Sequence, residues 1–168
     1  MMDEIIIRKV YRQSVIIAYA FFSALAAYVV IVEFIFNDIR VPESYSTIYT
    51  HLRTALMILT VAEIFLVFFV RNLILTGKTR MLFRKLGEYS PESKEIEMLR
   101  RLSTTSTITF AVWDSIAIYG LILYLLGQNK TDFYLLLGVA FCLMVFHFPK
   151  FSDWESRLRN LDQNNIVE

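Results

Sequence analysis

Three acidic side chains lie within long apolar runs of this 168-residue chain: Glu33, Glu63 and Asp114. A charged carboxylate inside a bilayer is costly, so such residues usually face a bundle interior or a water-filled cavity. Two carboxylates that meet in a low-dielectric environment cannot both ionise cheaply, so at least one is expected to hold a proton or a cation. These residue types therefore point to proton or cation binding within a membrane.

The runs that carry these acids have the length of membrane-spanning helices. About 20 mostly apolar residues are needed to cross a hydrocarbon core about 30 Å thick. Four segments qualify, at about 14–36, 51–75, 102–127 and 133–149. The fourth is the shortest, but its flanking Lys130, Asp132 and Lys150 can lie at headgroup level. The sequence therefore predicts an all-α polytopic membrane protein, a four-transmembrane-helix bundle forming a single domain over residues 1–168.

The composition excludes several other classes of protein. At 56% hydrophobic and 20% charged residues, the chain is too apolar for an ordinary soluble domain. A formal net charge of +1 gives no indication of nucleic-acid binding. The single cysteine, Cys142, cannot form an internal disulfide. The expected surroundings are the lipid bilayer and other membrane subunits, including further copies of this chain.

Lysine and arginine are distributed unevenly between the two sides of the predicted membrane. They are concentrated before the first span, between the second and third spans and after the fourth, whereas the other side has only Arg40, Arg53 and Lys130. Because positively charged loops stay in the cytoplasm, both termini are expected there. The predicted location is a cell inner or plasma membrane.

Two segments outside the bilayer are expected to be helical. The sequence Ser90-Pro91-Glu92 resembles a helix start, so the third helix is predicted to begin near Pro91 and reach Gly127, with a cytoplasmic helical hairpin over about 76–101. Residues 151–162 place Phe151, Trp154, Leu158 and Leu161 on one face of an amphipathic helix. That helix either rests on the membrane or docks on a partner.

The depths of the three acids separate them into two kinds. Glu33 lies near the outer end of its span, where a structural or interfacial role is expected. Glu63 and Asp114 each lie near the middle of adjacent spans, so they are predicted to face each other as a cation- or proton-binding pair. The alternative is a carboxylate pair that only fixes the register of the helices, which interhelical polar bonds commonly do in membranes.

Hydroxyl groups precede Asp114 along the third span. Ser103, Ser106 and Thr107 could hydrate an access path from the cytoplasm to that acid. Their alternative use is to bond back to carbonyls one turn earlier, which needs no path. On the first span, small residues recur at four-residue spacing and suggest helix packing, either within the chain or between copies: Ala20, Ser23, Ala24 and Ala27.

The segment Ala111–Leu121, with the sequence AVWDSIAIYGL, resembles the carboxylate region of rotary ATP synthase c (proteolipid) subunits. The resemblance implies that Asp114 is the ion carrier and that Glu63 takes the place of the polar residue on the first helix of the hairpin. It covers about 11 residues, and the second span differs from that family's first helix in having no glycine.

No catalytic residues, metal ligands or cofactor are predicted, because the chain has no metal-ligand spacing, phosphate-binding glycine loop or nucleophile elbow. The sequence therefore predicts a non-enzymatic small membrane subunit of a larger assembly, with a carboxylate pair that binds or relays a proton or monovalent cation. The alternative is a structural subunit that scaffolds such an assembly.

Overall fold

A computed structural model describes residues 4–35, 46–75 and 94–156, and every regular element within those ranges is helical. Helix α1 (Glu4–Val30) continues into a π-helical segment (Ile31–Ile35). It is followed by α2 (Ser46–Leu75), α3 (Lys94–Gly127) and α4 (Lys130–Phe146). Residues 151–156 form a short further helix, α5. The predicted all-α class is confirmed.

Three of the described helices are long and apolar enough to cross a membrane. They cover Ile5–Ile35, Ile48–Asn72 and Ile96–Gly127, with 31, 25 and 32 residues. These ranges cover the three predicted spans that carry the acids except for residue 36 and residues 73–75. Helix α4 has 17 residues and rises about 25 Å at about 1.5 Å per residue. The chain is thus a membrane protein with three candidate spans and a shorter apolar helix.

Helix α3 lies at the centre of the bundle and packs against α1, α2 and α4. Its buried residues form one broad face, which includes the inaccessible side chains of Trp113, Ile116 and Leu123. Helix α1 instead buries a single stripe, Ser14, Ala18, Leu25 and Val32, at the spacing of one helix face. Helix α2 buries little and presents large apolar side chains outward, as a lipid-facing helix does.

A tight connection holds α3 against α4. Gln128 adopts a left-handed backbone conformation with φ of 52°, and its N–H donates to the carbonyl of Tyr124 at 2.8 Å, which ends α3. The side chain of Asn129 then accepts from the N–H of Thr131 at 3.0 Å and caps α4. The two helices therefore run antiparallel from a turn of two residues.

The bundle has a proximal and a distal end, each with its own apolar cluster. The proximal end, where α1 and α3 begin, contains Leu99 and Leu102 of α3 and Trp154 of α5 in one apolar cluster. The distal end, where α3 finishes and α4 begins, contains a second cluster of Val32, Tyr124 and Phe133.

Part of the predicted amphipathic tail docks on the bundle itself. Trp154 is buried at the proximal end, and its ring meets the ring of Tyr11 edge-on with centroids 5.7 Å apart. The hydroxyl of Tyr11 donates to the carbonyl of Pro149 at 3.1 Å. This docking on α1 and α3 is a third arrangement beside the two considered from sequence. Residues 157–162 of the predicted tail lie outside the described residues.

The predicted cytoplasmic hairpin is described only in part. Residues 94–101 are helical and continuous with the rest of α3, and α3 ends at Gly127 as expected. Arg101 donates to Glu97 at 2.5 Å, one turn earlier. The remainder of the hairpin, including the expected helix start at Pro91, lies outside the described residues.

Candidate functional site

Glu63 of α2 contacts α3 through two hydroxyl groups. Tyr119 donates to its Oε1 at 2.5 Å, and the hydroxyl of Ser115 lies 2.9 Å from its Oε2. That same hydroxyl also lies 2.7 Å from the carbonyl of Val112. Residues 115 and 119 are one turn apart, so one face of α3 supplies both groups.

The single hydroxyl hydrogen of Ser115 allows two arrangements of this cluster, one with a neutral and one with an ionised Glu63. A serine hydroxyl carries one hydrogen, whereas the carbonyl of Val112 and an ionised Glu63 can only accept. If Ser115 donates to Val112 at the shorter distance of 2.7 Å, the contact with Glu63 needs a hydrogen from Glu63. A neutral Glu63 that donates through Oε2 and accepts from Tyr119 through Oε1 satisfies every group. An ionised Glu63 must instead share the single hydroxyl hydrogen with Val112.

Asp114 lies beside this cluster but has a different partner. The hydroxyl of Tyr28 on α1 donates to its Oδ2 at 3.2 Å. Its other oxygen, Oδ1, is buried and has no hydrogen-bond partner within the described part of the chain. An unpaired charged oxygen in such surroundings is costly, and a proton or a cation on it would lower that cost.

The two acids therefore bond on different sides of α3. Successive residues of a helix point about 100° apart, and Asp114 turns to α1 while its neighbour Ser115 turns to α2. Their carboxyl groups share no hydrogen bond in the described structure. What connects them is one turn of α3, in which Val112, Asp114 and Ser115 all take part. Whether they titrate as a coupled pair stays a prediction.

The contacts of both acids give their positions along α3, whereas their predicted depth in the membrane stays a prediction. Asp114 is 13 residues before Gly127, the end of α3, or about 20 Å along a helix axis. Glu63 meets α3 at residues 115 and 119, up to one turn nearer the distal end. Both acids are half-buried and lie away from the distal end of the described bundle.

The hydroxyl groups of the predicted access path have separate environments. The hydroxyl of Ser103 accepts from Ser14 at 3.1 Å, which joins α3 to α1. Thr107 donates back to the carbonyl of Ser103 at 3.1 Å, the use that needs no path. Ser106 instead lines a cavity of about 60 Å³ at the proximal end, together with Thr105 and Thr109. A continuous path to Asp114 stays a prediction.

The side chain of Trp113 packs beside one residue of the cavity lining. It is 0% exposed, and its ring lies 5.4 Å from that of His147, which also lines the cavity. Its indole nitrogen, Nε1, is buried without a partner. His147 caps the end of α4, and its Nδ1 donates to the carbonyl of Leu143 at 2.9 Å.

The small residues of the first span lie mostly on the surface of the described bundle. Ala20, Ser23 and Ala27 are exposed and Ala24 is half-buried. Ser23 donates to the carbonyl of Tyr19 at 2.9 Å, within its own helix. This face therefore does not pack against another described helix, and packing between copies stays a prediction.

An ionic cluster at the distal end was not predicted from the sequence. Asp132 is 1% exposed, and both its oxygens bind Arg53, with Nη2–Oδ1 at 2.9 Å and Nε–Oδ2 at 2.7 Å. Tyr49 donates to Oδ2, and the amide of Asn129 donates to the same oxygen at 3.2 Å. The sequence had placed Asp132 at headgroup level. The available signal was that Arg53 and Asp132 begin spans on the same predicted side.

Glu33 contacts α4 through both carboxyl oxygens, and the structural or interfacial role expected of it stays a prediction. Its Oε2 accepts from Lys130 at 2.9 Å and its Oε1 from Tyr134 at 2.5 Å, both on α4. It lies in the π-helical segment Ile31–Ile35, whose wider turn changes the direction of the side chains that follow α1.

Within the described ranges, no group of three His, Cys, Asp or Glu side chains is placed to hold a metal ion. The predicted absence of metal ligands, cofactor and catalytic residues stays a prediction.

No family model matches the chain, and neither the curated proteins nor the solved structures include a match. The resemblance to c subunits rests on residues 111–121 alone.

Proposed function

We propose that this chain is a small multi-pass membrane subunit in which Glu63 and Asp114 bind or relay a proton. The observation that carries the proposal is the hydroxyl of Ser115, which has one hydrogen and two neighbouring acceptor groups at 2.7 and 2.9 Å. A neutral Glu63 supplies the second hydrogen that these two contacts need. The buried Oδ1 of Asp114 supports the proposal independently, because no donor among the described residues gives it a hydrogen bond.

A proton fits this arrangement better than a monovalent cation does. A cation needs several oxygen atoms that turn lone pairs toward it. At Glu63 the hydroxyl of Tyr119 turns its hydrogen toward the carboxyl instead, at 2.5 Å. The chain Glu63–Ser115–Val112 ends in the same turn of α3 as Asp114, so a proton on either acid affects the same part of α3.

Infrared spectroscopy tests the proposal directly. The protein in lipid should show the carbonyl stretch of protonated carboxylic acids, weakened in Glu63→Gln and in Asp114→Asn. Raising the pH should remove the band reversibly, and a carbodiimide should label Asp114 less as the pH rises. Glu33→Gln is the matched control, because the ion pair with Lys130 keeps Glu33 ionised, so the band should not change. A band that neither substitution weakens would refute the proposal.

The alternative function is a structural subunit that scaffolds a larger assembly. It is favoured by α2, which packs mainly on α3 and exposes Phe65, Phe68 and Phe69 to lipid or to a partner. In that case Asp114→Asn would leave the function of the assembly intact. Asp114→Leu would weaken assembly, because Tyr28 would lose its acceptor.

Four crossings with both termini in the cytoplasm are part of the proposal. Helix α4 crosses with its ends at headgroup level, supported by exposed apolar side chains such as Leu135, Phe141 and Val145. The lysine and arginine distribution then places the proximal end in the cytoplasm.

Cysteine labelling tests that orientation. In a Cys142→Ser background, Thr131→Cys at the distal end should react with an impermeant maleimide added outside intact cells. Ser152→Cys at the proximal end should react only after the membrane is opened. Both positions are exposed on the protein surface, so the side of the membrane on which each lies decides whether the maleimide reacts. The reverse pattern would invert the orientation.

A further inference from the structure

The proximal cavity has the lining of an anion site. Its volume is about 60 Å³, and it lies between the last part of α2, the first half of α3 and the residues that follow α4. Its lining includes two permanent cations, Arg71 and Lys150, against one carboxylate, Asp153. Among the described residues, the charged part of the lining therefore carries a net positive charge.

Hydroxyl groups complete the lining on the α3 side. Thr105, Ser106 and Thr109 all border the cavity. Thr105 is 6% exposed, and its Oγ1 is buried without a hydrogen-bond partner among the described residues. A buried hydroxyl without a partner is costly, and buried polar groups nearly always have one. A ligand oxygen in the cavity would provide the missing acceptor.

The size of the cavity suits a compact tetrahedral anion. A water molecule needs about 10–15 Å³ of such volume, so the 60 Å³ cavity holds roughly four to six waters. A phosphate group has five heavy atoms and replaces about that many. Lys150 and Asp153 are exposed, so the cavity is open toward the headgroup level beside them.

We propose that this cavity binds a phosphate group, delivered either by the headgroup of an anionic lipid or as free phosphate. Arginine and lysine bind phosphate through charge-assisted hydrogen bonds, and basic pockets between membrane helices hold lipid headgroups. The bound group would link Arg71 of α2 to Thr105 of α3 and to Lys150 after α4. It would thereby join three parts of the chain at the proximal end.

Free phosphate is tested first, on the full chain purified in an uncharged detergent. Sodium phosphate should raise the thermal unfolding temperature above that in sodium chloride of equal ionic strength, because a ligand of the native state stabilises it. Lys150→Gln and Thr105→Val should each weaken phosphate binding by about tenfold or more, the loss of one hydrogen bond to a charged group. Arg71→Gln should do the same.

A control variant and a stability comparison distinguish loss of phosphate binding from loss of folding. Arg12→Gln removes an exposed cation from α1 at the same end but outside the cavity lining, so it should bind phosphate like the unmodified protein. Thr105→Val replaces an unpartnered hydroxyl with a methyl group, so it should be at least as stable without phosphate while binding phosphate less tightly. If Thr105 had only a structural role, the substitution would not lower phosphate affinity while leaving stability without phosphate unchanged or higher.

The lipid source is tested by native mass spectrometry after incubation with phosphatidylglycerol or phosphatidylcholine. Retention of one phosphatidylglycerol by the unmodified protein and by Arg12→Gln, and its loss in Lys150→Gln, assigns the site to a lipid headgroup. A response to inorganic phosphate without lipid retention assigns it to the free anion. If neither probe binds, or if Arg12→Gln and Lys150→Gln lose binding equally, the proposal is wrong.

Discussion

Replacing Asp132 with alanine is expected to lower the free energy of unfolding by about 3 kcal/mol. The substitution removes the acceptor of Arg53, Tyr49 and Asn129 together, at a position that is 1% exposed. This loss is near the lower end of the cost of breaking a buried ion pair. The reason is that the Arg53 side chain is 49% exposed and can turn to water or headgroups. Equilibrium unfolding in mixed micelles measures it.

The same ion pair predicts an asymmetry between its two partners. Asp132→Asn leaves an arginine that can reach solvent, whereas Arg53→Gln leaves a buried carboxylate without its counter-charge. Arg53→Gln should therefore destabilise more than Asp132→Asn, and the double variant should lose less than the sum of the two. Equal losses from both single variants, or simple additivity, would show that the pair is not coupled.

Replacing Gly127 with alanine is expected to cost about 2 kcal/mol or more of folding free energy. An added Cβ would lie 2.2 Å from the ring of Tyr49, well inside contact distance. The ring cannot turn aside freely, because its hydroxyl is bonded to Asp132. The substitution therefore has to displace the distal ionic cluster as well as the ring.

Gly138 on α4 is the matched control, since an added Cβ there meets nothing within 4 Å. Gly138→Ala should be neutral or stabilise the protein by up to about 1 kcal/mol, because alanine favours a helix over glycine. Adding Tyr49→Ala to Gly127→Ala should recover part of the loss. If Gly127→Ala unfolds like Gly138→Ala, the close contact with Tyr49 does not exist in the folded protein.

The length of apolar runs was sufficient to place the helices that carry the acids. Residues that cross hydrocarbon have to satisfy their backbone groups within one helix, so run length translates directly into helix position. The same argument gave the depth of Glu63 and Asp114. It could not give the direction in which each side chain points, which depends on how α1 and α2 pack around α3. For that reason Tyr28 and Ser115 were not predicted as partners.

The distal ionic cluster was missed for a different reason. Charged residues at the ends of spans are common, because headgroups accept them without a partner. Arg53 and Asp132 therefore looked ordinary, and nothing local to either residue indicates a contact across 79 positions. Only the burial of Asp132, set by the short turn between α3 and α4, makes the pair necessary.

That separation of 79 positions also sets an order of events during synthesis. At about 5–20 residues per second, Arg53 is made roughly 4–16 s before Asp132. Until then α2 has no ionic anchor at its distal end, and only contacts with α3 can hold it. Synthesis of α4 thus completes the attachment of α2, so a nascent chain truncated before α4 should leave α2 loosely held and open to quality-control proteases.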